Sequence, residues 1–206
     1  MIQRTYGRLL LTLLVISGLA GTIHNSSISK KERKFSMNLM KTTKTDLLKS
    51  VSGLSEAQLN FKPNAESWSV KECMYHIAVA EKNLWGMLEG TMKAAANPEK
   101  RSEIKMTDEQ VVSMIESREQ KVKTFAPFEP QNTGYKTMDE AVNAFKELRN
   151  EHIKYVKTTT EDLRNHVAQL PFGMLDSYQL TLFIAAHSER HRKQIEEVKS
   201  NSAFPK

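Results

Sequence analysis

LFIAAHSERHRKQIEEV, Leu182 to Val198, sets two histidines four residues apart on an amphipathic helix. At 100° per residue, Leu180, Phe183, Ile184, His191, Gln194, Ile195 and Val198 lie within roughly 80° of His187, whereas Glu189, Arg192, Lys193 and Glu196 fill the opposite arc. Both imidazoles therefore belong to the apolar face. A histidine there must be neutral and must satisfy both ring nitrogens, because an unsatisfied buried polar group costs about 1 to 3 kcal/mol. Residues one turn apart have Cβ atoms ~5 to 6 Å from each other. The two rings can thus share one metal ion, or each can be satisfied separately as a core side chain.

Outward from this stretch the chain reads as helices. Gly 8 and Pro 6 are low counts for 206 residues, and strong helix formers dominate. The periodicity predicts long helices over 31–52, 69–89, 138–158 and 177–200, and a shorter one over 108–123. Ser69 with Glu72, Thr107 with Gln110 and Thr137 with Glu140 have the spacing of capping boxes, and Gly53 and Gly90 read as helix ends. The segment 53–70 is a connection holding one short helical turn. About fifty residues separate the second and third long helices, enough for a crossover that lets those two run parallel. The expected fold is all-α, a four-helix bundle with one long crossover that carries the short extra helix. Asn165 to Gln179, an apolar connection, is expected to cover one end of the bundle.

The first residues have a different character. Arg4 and Arg8 precede a twelve-residue apolar run, Leu9 to Ala20, that ends in small residues. This pattern reads as an export signal over 1–20, followed by a polar lead-in over 21–30, a folded domain over 31–201 and a tail over 202–206. Twelve apolar residues fall short of the ~20 that span a bilayer, so the mature chain is expected in a periplasmic or extracellular space. An uncleaved leader would instead anchor it to a membrane. The lone cysteine, Cys73, excludes an internal disulfide. The net charge is +6, but basic and acidic residues are interspersed, which argues against a nucleic-acid partner. A homodimer and a small-molecule substrate both remain open.

His76 lies at the rim of the apolar arc of the second long helix. If that helix neighbours the last one, His76, His187 and His191 can meet around one divalent ion and leave a coordination position open. Ser188 stands where the HExxH protease motif has its glutamate, so that mechanism lacks its base. Imidazoles suit zinc, nickel, copper or iron. Glu72, one turn before His76, is explained by the cap, and Cys73 by core packing. His152, among Glu147, Asn150, Glu151 and Lys154, and His166, in a loop, read as solvated. Trp68, Trp85, Tyr178 and Phe183 read as bundle core, or else as the lining of a pocket. Arg190 either anchors an anionic substrate or pairs with a nearby carboxylate.

SWSVKECMYHIAVAE, Ser67 to Glu81, combined with LFIAAHSERHRKQI, Leu182 to Ile195, resembles the DinB-like family of four-helix metalloproteins, over about Lys31 to Asn201. The resemblance implies a metal held by His76, His187 and His191, and Trp68, Ser69, Arg190 and Gln194 also fit the family pattern. Some members of that family are transferases or isomerases that use low-molecular-weight thiols, a role at odds with export from the cytosolic thiol pool. The expected function is that of a metal-dependent hydrolase or transferase. The rival readings are a non-catalytic metal- or ligand-binding bundle, a thiol-dependent S-transferase or isomerase, and an interaction module whose histidines bind nothing.

Overall fold

The computed structural model describes residues 28–206 except Lys121. The expected leader and most of the polar lead-in lie outside these residues. Six α-helices are described: α1 Lys30–Val51, α2 Glu56–Asn60, α3 Val70–Lys93, α4 Asp108–Glu116, α5 Met138–Thr158 and α6 Ser177–Lys199. Two short strands, β1 Val167–Leu170 and β2 Gly173–Asp176, form an antiparallel hairpin. Every one of these helices begins at a capping box, on Ser29, Ser55, Ser69, Thr107, Thr137 and Asp176, so two backbone N–H groups are satisfied at each entry.

The four long helices, α1, α3, α5 and α6, form the bundle. α1 and α3 each pack on both α5 and α6. Cross-helix pairs fix the directions. Ser36 meets Thr181 and Ser50 meets Glu196, so α1 and α6 run parallel. Glu81 meets Arg149 while Trp85 meets Tyr155, so α3 and α5 also run parallel, as a long crossover allows. Leu47, Met74, Ile77, Ala141, Phe145 and Ile195 fill the core at full burial.

Two boundaries differ from expectation. α3 continues through Gly90 to Lys93, because Leu88 is buried against α4, α6 and the hairpin, and Met92 packs there too. That packing outweighs the ~1 kcal/mol cost of an interior glycine. α4 stops at Glu116 rather than near Lys123, since Arg118 turns back to bind Glu197 and Gln194 on α6. The expected irregular connection over 165–179 is in part the hairpin, with Leu170 and Leu175 buried against Leu88, Val111 and Leu180. It closes one end of the bundle. Arg164, lying over the Tyr178 ring, binds Glu32, Asp108 and Asp176, and so ties the starts of α1, α4 and α6 together. Among the described residues no helix is long and apolar enough to cross a membrane.

Candidate metal centre

α3 and α6 pack antiparallel, which brings His76 beside His187 and His191. One ring nitrogen from each lies within 4.8 Å of the other two. The Nε2 atoms of His76 and His187 are 3.4 Å apart. Nitrogens bound at 2.0 to 2.1 Å in a tetrahedral arrangement would be separated by about 3.3 Å, so this spacing fits one ion.

The far sides of two rings are fixed. His76 Nδ1 is 2.7 Å from the carbonyl oxygen of Phe128, an acceptor only, so Nδ1 carries the proton and the Nε2 lone pair is free. His191 Nδ1 donates to Gln194 Oε1 at 2.9 Å, with the same result. Arg118 also donates to that amide oxygen, at 3.4 Å, which settles which way the amide faces. Trp68, half-buried just before α3, packs its ring 4.9 Å from His76 and 6.0 Å from His191. It is part of the wall of the cluster rather than only bundle core.

All three histidines are held neutral. Burial pushes the pKa of His76 down, partly opposed by the Phe128 carbonyl. Burial does the same to His187 and His191, more strongly, and the neighbouring imidazoles add to it. Neutral imidazole is the form that binds metal, and among the described residues no carboxylate joins the cluster to act as a base.

The remaining sequence candidates separate clearly. Cys73 is fully buried in the apolar core, where burial drives its thiol pKa up, and Glu72 caps α3 while pairing with Lys62. Neither joins the cluster. Tyr178 is core, and Phe183 borders His187 with ring centres 6.1 Å apart. Arg190 donates to the Gln120 carbonyl at 2.7 Å and, among the described residues, forms no salt bridge.

Two expectations are corrected. His166 is half-buried, with Nδ1 3.2 Å from the Thr91 carbonyl. His152 is only 2% exposed, stacks on Trp85 at 3.8 Å and bonds Glu81 across 2.7 Å. Its sequence neighbours are solvated, but the ring itself lies on the inner stripe Met138, Ala141, Phe145, Arg149, His152, Val156.

That stripe also carries Arg149, which the sequence reading passed over. Its fully buried guanidinium forks the Glu81 carboxylate with two bonds of 2.6 Å, and binds Thr43 Oγ1 at 2.9 Å and Ser188 Oγ at 2.7 Å. All four long helices thus meet at one polar network, whose α6 member, Ser188, directly follows His187.

Comparison with known proteins agrees with this architecture. Residues 39–195 match the model of the DinB superfamily, and the chain belongs to that superfamily. Over 165 residues it is 26% identical to the uncharacterized protein YuaE of Bacillus subtilis (strain 168), spanning 79% of this chain and 96% of YuaE. The fold is shared with YfiT from Bacillus subtilis at a TM-score of 0.59 and 15% identity, covering 87% of this chain and 92% of that one. YfiT is described as a probable metal-dependent hydrolase with an unusual four-helix bundle topology.

Proposed function

We propose that the chain is a metal-dependent hydrolase whose divalent ion is held by Nε2 of His76, Nε2 of His191 and a ring nitrogen of His187. The observation that carries this reading is the convergence of three neutral imidazoles, two of them aimed by acceptors on their far nitrogens. A divalent ion supplies Lewis-acid activation of water and of a substrate oxygen. The protein's part is to fix the ligand orientations, through Phe128 and Gln194, and to keep the rings unprotonated by burial. Trp68 shields the side of the cluster formed by His76 and His191, and His187 stays partly exposed. Because neither Cys73 nor Glu72 joins the cluster, the arrangement favours an accessible catalytic ion over a closed structural one.

The likeness to YfiT, described as a probable metal-dependent hydrolase, supports this reading over a purely structural bundle. The test is hydrolysis of a panel of esters, amides and phosphoesters. Activity that disappears on chelation, returns with zinc, nickel or iron, and is absent from His191→Ala supports the proposal; chelator-resistant hydrolysis, or none on any substrate by fully loaded protein, refutes it. The export reading of residues 1–20 also stands as a proposal. Mass spectrometry of the native protein should find a chain starting near Gly21, and an intact Met1 would contradict it.

A further inference from the structure

The rim of the three-histidine cluster is asymmetric. His76 and His191 are buried, whereas His187 is partly exposed, so the cluster opens beside His187. Phe183 lies one turn before His187 on α6 and Arg190 nearly one turn after it, which places them about 10 Å apart along the axis at 1.5 Å per residue. On the Phe183 side the surface is apolar. Its ring centre is 5.7 Å from that of Phe172, which is 40% exposed at the hairpin turn.

The Arg190 side is cationic. Arg118 pairs with Glu197, Arg192 with Glu189 and Lys193 with Glu116, but among the described residues the hydrogen-bond partner of Arg190 is a backbone carbonyl. The carboxylate whose charge is felt at Arg190, that of Glu197, is already forked by two Arg118 nitrogens. A guanidinium offers five N–H donors in a planar fork that matches carboxylate and phosphate oxygens, and the Gln120 carbonyl occupies one donor group. Three neutral imidazoles add no negative charge, so nothing in the cluster offsets the Arg190 cation or a bound divalent ion.

We infer that the site takes an elongated anion, with its carboxylate or phosphate group on Arg190, its apolar body against Phe183 and Phe172, and the bond to be hydrolysed between them beside His187. The inference rests on the metal-site reading and adds to it the substrate class and a specificity-determining residue.

The test uses the full chain loaded with cobalt, whose visible spectrum reports occupancy of the metal site, while calorimetric titration reports the binding of each probe. The probes are 4-phenylbutyrate, its neutral amide and inorganic phosphate. A charge-assisted bond to Arg190 should make the carboxylate bind about tenfold or more tighter than the amide. Arg190→Gln should erase that preference while leaving amide binding and cobalt uptake unchanged, and Arg190→Lys should restore part of it. Phe172→Ala, at an exposed position, should weaken the carboxylate and the amide alike and leave phosphate unaffected. Arg190-dependent binding that favours phosphate assigns a phosphorylated substrate, and the reverse order assigns a carboxylate. Equal binding of carboxylate and amide by cobalt-loaded wild type, or a preference that survives Arg190→Gln, overturns the inference and leaves the metal site standing. Failure to take up cobalt at all overturns the metal reading beneath it.

Discussion

Gln194 Oε1 accepts the Nδ1 proton of His191 across 2.9 Å, while Arg118, from the crossover, donates to the same oxygen. This relay fixes the tautomer of one histidine of the proposed metal site by way of a residue three positions further along the same helix. Gln194→Leu should therefore weaken metal binding by about 10- to 100-fold, the usual cost of losing such a partner. Thermal unfolding of the metal-free variant should change little, because Gln194 is only partly buried. Equilibrium dialysis checks the first effect and calorimetry the second.

Arg149 and Glu81 form a buried ion pair, with side chains 0% and 1% exposed. Arg149→Met leaves the Glu81 carboxylate with only the His152 imidazole to offset its charge inside the bundle and should destabilise the fold by about 3 to 5 kcal/mol. Adding Glu81→Gln to that variant should recover much of the loss, since it removes the stranded charge. Urea unfolding of the two variants decides this. A single variant no less stable than the double would contradict the network's electrostatic role.

The depressed histidine pKa values set a direction for pH dependence. In the metal-free protein His76, His187 and His191 titrate below the ordinary value of 6.5, so the unfolded chain takes up protons first as the pH falls through 6.5. The stability that depends on their neutrality is complete above that value and declines beneath it, toward the lowered folded-state values. Melting temperatures of chelated protein should fall between about pH 7 and about pH 5, and the fall should be shallower in a His187→Ala, His191→Ala double variant. Burial opposes the ionisation of Glu81, but Arg149 and then His152 outweigh it and hold its pKa below 4.5. Its share of stability is lost only in more acidic solution.

Gly90 lies inside α3, and a Cβ built there meets nothing within 4 Å. Gly90→Ala should stabilise the protein by about 0.5 to 1 kcal/mol through reduced backbone entropy of the unfolded chain. A lower midpoint in urea would show that the glycine serves some purpose beyond helix continuation.

The four long helices were legible because their inner faces recur at helical spacing and their entries carry capping pairs such as Ser69 with Glu72 and Thr137 with Glu140. The His187 and His191 pair was legible for the same reason, being polar residues on an otherwise apolar arc. His76 depended on α3 and α6 being neighbours, which the sequence left open and the packing shows. His152 was misread because its sequence neighbours are solvated, although it continues the stripe of Phe145 and Arg149. Backbone partners such as the Phe128 carbonyl left no trace in the sequence, since any residue can supply one. The hairpin was hidden by its brevity: four residues per strand give too few alternations to separate it from an apolar loop.

The most direct measurement of the central claim is the metal content of untagged full-length protein and its histidine variants after dialysis against zinc or nickel. The account predicts about one ion per chain in wild type and in His166→Ala, whose ring lies outside the cluster, and a loss of stoichiometric binding in His187→Ala and His191→Ala, because two imidazoles do not complete a tight site. Equal metal content in wild type and His187→Ala, with the same response to chelator, would contradict it and leave the three rings as separately satisfied core histidines.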